Sequence, residues 1–485
     1  MGGFYGVASK EDCVADLFYG TDYHSHLGTV RGGMAVKDGH GFTRFIKDIT
    51  NSQFRSKFED DLGKMHGSIG IGVISDYEDQ PLIIGSHLGT YALVTVGRIE
   101  NVEELADEVF RSRAAHFSEM SGDVVNPTEL VATLINGESS FEEGIRLAQQ
   151  RIEGSCSLLL LTDRCIYAAR DRLGRTPIVI GQKEDSRCVA LETSALPNLG
   201  YEVDRFMGPG EIVRLTATEA ETLLPPGDKM QICSFLWVYY GYPASNYEGI
   251  NTELVRNQCG AALAKRDNVE VDLVAGIPDS GTGHAIGYAN EAGIPYGRPF
   301  VKYTPTWPRS FMPQDQRVRD LVARMKLIPI PDLIRGRRLM FCEDSIVRGT
   351  QLKDLVQRIF DYGAKEIHMR PACPPLIHGC KFLNFSRSKS VMDLAGRKAI
   401  KELGDGEGQL TQYADPDSQQ HHAMVDRIRQ RLGLTSLKYQ RLDDLVSAIG
   451  LPKEKLCTYC WDGAECSGSC PASQSIAEES PSQPK

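Results

Sequence analysis

Apolar positions along this chain follow two different rhythms. Over the first 224 residues, short apolar runs recur between Gly, Asp and Ser punctuation: Ile69–Ile74, Ala92–Val96, Ser157–Leu161 and Pro177–Ile180. Runs of that length, bounded by turn residues, predict β-strands. Helical periodicity interrupts them at Val102–Phe110 and Pro127–Ile135. Asn126 is placed as an N-cap, with Pro127 at the first helical position and Glu129 at the third. Leu223-Leu224-Pro225-Pro226-Gly227-Asp228 then reads as a boundary.

After the boundary, strand, turn and helix alternate. Val269–Ile277 predicts a strand, Pro278–Gly283 a turn, and His284–Ala292 a helix stopped by Gly293. Arg338–Cys342 predicts the next strand, Glu343–Thr350 a loop, Leu352–Tyr362 a helix stopped by Gly363, and Glu366–Arg370 a further strand. Such alternation implies a mostly parallel sheet flanked by helices. The expected organisation is a β-rich unit over 1–224, an α/β unit over 225–470, and a polar tail over 471–485 too rich in Ser, Pro and Glu to fold. No internal repeat is evident.

Composition narrows the class. Of 485 residues, 41% are hydrophobic and 24% charged, ordinary values for globular chains. The formal net charge of -10 gives no reason to expect nucleic acid or an anionic membrane as partner, while a small anionic substrate stays compatible with local basic groups. No run approaches the roughly 18 apolar residues of a membrane span, and Met1-Gly2-Gly3-Phe4-Tyr5-Gly6 lacks the features of a signal peptide. The expectation is a cytoplasmic protein. Thirteen cysteines, odd in number and uneven in spacing, argue against a disulfide framework. Cys13, Cys156, Cys165, Cys188 and Cys259 are expected to be buried small hydrophobes. His24, His26, His378, His421 and His422 lack ligand spacing and read as core or surface residues.

The strongest chemical signal is Leu339-Met340-Phe341-Cys342-Glu343-Asp344-Ser345-Ile346-Val347-Arg348-Gly349-Thr350. An apolar strand delivers two acidic residues at its carboxyl end, and a short loop opens a helix. Backbone N–H groups of such a loop, with the helix N-terminus behind them, form an anion site. Ser345 and Thr350 add hydroxyl donors, and paired carboxylates suit a ribose diol or hydrated Mg²⁺. Gly276-Ile277-Pro278-Asp279-Ser280-Gly281-Thr282-Gly283 repeats the arrangement about 60 residues earlier. Two such loops on one sheet can hold a ligand with phosphates at both ends. Separately, Cys457-Thr458-Tyr459-Cys460 offers two thiolates at a spacing compatible with zinc, with redox chemistry or with no function.

The acidic pair with Ser345-Ile346-Val347-Arg348-Gly349-Thr350 resembles the phosphoribosyl pyrophosphate (PRPP) motif of glutamine PRPP amidotransferases, and Pro278-Asp279-Ser280-Gly281-Thr282 resembles that family's pyrophosphate loop. Gly287-Tyr288-Ala289, Gly293-Ile294-Pro295, Arg309-Ser310-Phe311 and Met325-Lys326-Leu327 extend the likeness over residues 233–380. The resemblance implies an α/β chain (α+β overall): an N-terminal-nucleophile-hydrolase-like sandwich, then a type I phosphoribosyltransferase domain. It assigns Asp279, Ser280, Gly281 and Thr282 to PRPP, and Ser280, Glu343 and Asp344 to Mg²⁺ and ribose. Ser345, Ile346, Val347, Arg348, Gly349 and Thr350 would hold the 5′-phosphate. Arg309 would lie on the closing loop, and Lys326 would reach the pyrophosphate; these two are the candidate catalytic residues. Two departures stand out. Glu343 replaces the family's usual Asp, and Lys302–Arg309 lacks the family's Asn-Arg-Tyr and carries two prolines that stiffen it.

The first 224 residues resemble the family's glutaminase domain through Asp171–Pro177, Glu192-Thr193-Ser194-Ala195 and Pro209-Gly210-Glu211. The catalytic positions differ. Gly2 stands where the family has its nucleophilic Cys, Val73 where it has the Arg that holds the glutamine carboxylate, Val96-Gly97 where it has the oxyanion-hole Asn-Gly, and Pro127 where it has the Asp for the α-amine. Losing the nucleophile removes the covalent route, and losing one oxyanion donor costs about 10²–10³ in rate. Glutamine hydrolysis is therefore expected to be absent, and Cys13 is not expected to replace the nucleophile. The resemblance also adds Cys233 and Cys380 to Cys457 and Cys460 as the four ligands of a [4Fe–4S] cluster, with Zn²⁺ as the alternative; Cys466 and Cys470 form a further pair.

The expected activity is Mg²⁺-dependent transfer of the phosphoribosyl group of PRPP to ammonia or another small amine, giving phosphoribosylamine for purine synthesis. An active paralogue or a separate ammonia donor, and a homo-oligomeric state, complete the expected partners. The alternative is a PRPP- or nucleotide-binding regulatory or scaffold paralogue.

Overall fold

The computed structural model describes residues 2–76, 78–112, 117, 120–121, 124–303, 327–383, 390–404 and 409–464. The expected tail over 471–485, Cys466, Cys470, Arg309 and Lys326 lie outside the described residues.

The first half is a four-layer sandwich, helix on sheet on sheet on helix. One antiparallel sheet runs, in spatial order, Glu202–Phe206, Val179–Lys183, Ser186–Ala190, Gly3–Ser9, Ile69–Ser75, Arg31–Lys37 and Phe42–Asp48. The other runs Ala220–Leu224, Ile212–Leu215, Ile166–Ala169, Gly154–Leu161, Gly89–Ile99 and Leu82–Ser86. Alternate side chains serve opposite faces. Phe4, Ile71 and Val73 meet Val94, Val96 and Leu159 between the sheets. Tyr5 and Val7 face outward onto Leu17, Phe18 and Phe54, while Leu93, Leu158 and Leu160 face Leu130, Ile135 and Ile145 of helices Pro127–Ile135 and Phe141–Arg151. Covering on both faces is why Gly3–Ser9 and Ile69–Ser75 read as continuous apolar runs rather than as alternations. Asn126 caps its helix as expected, its side chain accepting from Thr128 N at 2.9 Å.

The second half carries the parallel sheet. Its order is Leu273–Gly276, Arg338–Glu343, Glu366–Pro371, Ser436–Leu437, all parallel. Leu339 and Phe341 pack toward Leu355, Val356 and Ile359 of helix Thr350–Asp361, and Met340 and Cys342 pack toward the side of Cys259, Ala285 and Tyr288. The first strand starts at Leu273, later than the sequence pattern suggested. The preceding residues are committed to charge pairing instead: Asp267 receives Arg370 Nη2 at 3.1 Å, and Asp272 receives Arg338 Nη2 at 2.9 Å. The helices begin earlier than expected, at Thr282 and Thr350, because each loop's glycine serves as the N-cap.

The two halves share one continuous core that runs from Phe4 and Val96 through Ile232, Trp237 and Tyr247 to Met340. All five cysteines expected to act as buried hydrophobes are buried. Among the described residues no helix is long and apolar enough to cross a membrane.

Asp267 and Arg370 are almost wholly enclosed, with side chains 2% and 1% exposed. Burial alone would raise the Asp267 carboxyl, but hydrogen bonding and charge from Arg370 bring it down to about 2. Asp267→Asn should destabilise the chain by about 3–5 kcal/mol in urea unfolding, since Arg370 is left buried without its counter-charge. With the folded pKa depressed, this contribution is full above the unfolded value of about 4 and is lost as pH falls toward 2. Wild type and Asp267→Asn should therefore converge in stability at the acid end of a pH series.

Candidate functional site

The two glycine-containing loops converge at the carboxyl edge of the parallel sheet. Strand Leu273–Gly276 pairs in register with Leu339–Cys342, so the first loop leaves the sheet beside the acidic pair. Ile277 N donates to Cys342 O at 3.0 Å, which carries the pairing one residue into the loop. Gly281 then passes so close to the strand that a Cβ there would overlap Cys342 O, which explains why the position needs glycine. Ser280 Oγ donates to Glu343 Oε1 at 2.8 Å and ties one loop to the other. Helix Thr282–Ala292 starts directly behind the first loop, and helix Thr350–Asp361 behind the second, where Gly349 adopts φ +75°. Two helix N-termini therefore face the same edge, each favouring negative charge.

The acidic pair is mostly buried, Glu343 being 9% and Asp344 6% exposed. Burial and the neighbouring Asp344 carboxylate push the Glu343 carboxyl well up. Like charges held this close favour either shared protonation or a cation between them. Asp344 accepts from Ser345 Oγ at 2.7 Å. Arg348 Nη2 stands 3.9 Å from Asp393 Oδ2, while Ile346 and Val347 turn into the core. Lys302 Nζ reaches Asp279 Oδ2 at 2.6 Å, so the base of the expected closing loop is fastened to the first glycine-containing loop. That contact was not legible in the sequence; a lysine after an apolar strand carries no signal of its partner.

The positions assigned to glutamine chemistry sit together in the N-terminal half, and packing fills them. Gly2 is buried, and a Cβ there would overlap the carbonyl oxygen of Ile74. Val73 and Val96 are 1% and 3% exposed and belong to the sandwich core. Gly97 at φ +133° lies against Ser155 O with no room for a Cβ. Pro127 opens its helix, and beside it Thr128 Oγ1 and Thr95 Oγ1 share a hydrogen bond of 2.7 Å, with Thr95 N donating to Gln80 Oε1 at 2.7 Å. Cys13 is sealed in the core, and burial pushes its thiol up to about 12.

Cys233, Cys380, Cys457 and Cys460 line one cavity, with Arg175, Phe235, Phe382 and Trp461 among its other walls. Two-residue strands Ile232–Cys233 and Leu456–Cys457 pair in parallel and set Cys233 beside Cys457. No disulfide joins the described cysteines. Cys460 is raised by a hydrogen bond with Cys380 and by burial, and Cys233 and Cys457 also act on it. Among the described residues no group of three or more His, Cys, Asp or Glu is placed to hold a single metal ion. Zinc needs its sulfurs about 2.3 Å from one point. The side chains of the cavity that could bind a metal group are four thiols. Arg175 comes from the other half of the chain, and its sequence context gave no indication that it would face these cysteines.

Residues 66–198 match the glutamine amidotransferase domain family. The amidophosphoribosyltransferase of Mycobacterium bovis is 30% identical over 95% of this chain and 85% of its own length. That of Methanothermobacter thermautotrophicus is 28% identical over 95% and 93%. The glutamine PRPP amidotransferase of B. subtilis, solved with ADP and GMP, superposes with a TM-score of 0.82 at 27% identity, covering 95% of this chain and 96% of that one.

Gly281→Ala should disrupt the first loop without unfolding the sheet. Calorimetric titration with pyrophosphate and Mg²⁺ should show affinity reduced by roughly tenfold or more, since a buried backbone clash of this kind costs about 1–3 kcal/mol. The far-UV circular dichroism spectrum should be unchanged; unaltered affinity would mean that the loop does not hold the anion.

Proposed function

The chain belongs to the amidophosphoribosyltransferase family, and on that footing we propose that it transfers the phosphoribosyl group of PRPP to ammonia or another small amine while lacking glutamine hydrolysis. One contact carries the transferase reading: Ser280 Oγ on Glu343 Oε1 joins the two loops at one edge of the sheet, beside the acidic pair. The loop backbone and the two helix N-termini would receive the phosphates at the ends of PRPP. Ser280, Glu343 and Asp344 would hold Mg²⁺, which when bound supplies positive charge against the departing pyrophosphate. The incoming amine nitrogen forms a bond to C1 as the bond from C1 to the pyrophosphate oxygen breaks, and the amine's surplus proton leaves to solvent. The protein contributes position and charge rather than a covalent intermediate.

The loss of glutaminase activity is supported by the packing around Gly2. The carbonyl of Ile74 occupies the space that a nucleophilic side chain would need, and the neighbouring positions are core residues or backbone approaches. The four-cysteine cavity is read as the seat of a [4Fe–4S] cluster held by Cys233, Cys380, Cys457 and Cys460, with zinc as the other chemistry open to four thiolates. Its role would be structural, fastening the segment around Cys457 to the transferase core.

Anaerobically purified protein should release pyrophosphate from PRPP and Mg²⁺ with ammonium and not with glutamine. Gly2→Cys should leave the glutamine-dependent rate at background, because the clash with Ile74 blocks the new thiol. Ser280→Ala should lower the ammonium-dependent rate by roughly 10–100-fold, the usual effect of removing a group that orients a metal-binding carboxylate. Release with glutamine would refute the lost-glutaminase reading. Binding of PRPP with no release under either condition would make the chain a regulatory paralogue.

A further inference from the structure

Arg175 is anchored in the N-terminal half, on the turn before strand Val179–Lys183, yet its guanidinium walls the four-cysteine cavity. It is 6% exposed. Nη1 donates to Gly154 O at 2.8 Å, and the guanidinium carbon lies 3.6 Å from the centre of the Phe382 ring. The backbone at Arg175 is fixed as well, its N–H donating to Asp171 Oδ1 at 3.1 Å and its carbonyl accepting from Cys233 N at 3.2 Å. What is missing is an acceptor for Nε, which is buried without a hydrogen-bond partner. No carboxylate among the described residues pairs with this side chain. An arginine always carries its charge, and a buried charge without a counter-charge is not retained by packing alone. Among the described residues that line the cavity, the groups able to become anions are the four cysteines.

Four thiolates around either zinc or an iron–sulfur core carry a net negative charge. We propose that Arg175 is the counter-cation of the metal–thiolate centre held by Cys233, Cys380, Cys457 and Cys460, with its free N–H donating to a sulfur of that centre. The inference rests on the reading that these four cysteines hold such a centre. It gives the N-terminal half a function independent of glutamine chemistry: that half completes a site whose ligands all belong to the other half. Its attachments point the same way. Arg98, next to Gly97, donates from its backbone N–H to Phe382 O at 3.1 Å and from Nη1 to Cys380 O at 3.2 Å. Arg175 is thus a positioning and charge-balancing residue for the centre, and it makes no contact with the phosphate loops.

The test uses the full chain purified without oxygen, assayed first for iron, acid-labile sulfide and zinc. Metal release into excess chelator is then timed for wild type, Arg175→Lys and Arg175→Gln. Arg175→Gln should load and then lose its metal about 10–100-fold faster, the range seen for groups that support metal ligands from outside, and Arg175→Lys should stay near wild type. If the centre is iron–sulfur, its midpoint potential should fall in Arg175→Gln, a tenfold change in the oxidised-to-reduced ratio corresponding to about 59 mV for one electron. Arg175→Met keeps the stem packed on Phe382 without the charge and takes the place of Arg175→Gln if that variant does not fold. Equal release and potential in all variants, or an equal defect in Arg175→Lys and Arg175→Gln, would overturn the role of Arg175 while leaving the metal centre standing. Wild type free of iron, sulfide and zinc would instead remove the cysteine reading, and the proposal with it.

Discussion

The parallel pairing of Leu273–Gly276 with Leu339–Cys342 sets the geometry on which the rest of the transferase half depends. It brings two loops of distant sequence to one edge and extends through the bond from Ile277 N to Cys342 O. Only then can Gly281 press against the strand, Ser280 reach Glu343, and two helix N-termini aim at one space. A slip of one residue would turn Cys342 and Phe341 to opposite faces and separate Ser280 from Glu343. The buried acidic pair follows from the same constraint. Its carboxyls, adjacent in the chain, are mostly buried together, and Arg256 and Asp344 interact electrostatically.

In the N-terminal half, Gly2, Val73 and Val96, the positions that the resemblance assigned to nucleophile, carboxylate clamp and oxyanion donor, are all drawn into packing. Apolar residues at such positions fill the sandwich core and add to its stability, with no polar group left to desolvate. The half remains joined to the rest of the chain through one continuous core, and through Arg98 and Arg175 at the segment around Cys380. Polar links between the halves also gather at Glu192, which accepts from Ser245 and Tyr247, and at Arg170, paired with Glu248 at 2.8 Å.

Much of the site could be read from the chain in advance. The apolar strand ending at Glu343 and the helix opening at Thr350 were legible from local composition. The N-cap at Asn126 was equally legible, because helix capping acts over a few residues. The strand ends were read less well. The first parallel strand begins at Leu273, and Glu270 and Asp272 just before it pair with the distant Arg338, an attraction that no local pattern encodes.

The chain alone carried the alternation of strands and helices, the acidic turn at Glu343-Asp344, and the absence of polar side chains at positions 2, 73, 96 and 127. These are properties of residue type and short-range spacing. The tertiary structure alone decided that the Ile74 carbonyl closes the space at Gly2, that Lys302 fastens to Asp279, and that Arg175 faces cysteines from the opposite half. Each of those is a contact between segments far apart in the chain, fixed by how sheets and helices pack rather than by periodicity, so it exists only once the core has formed.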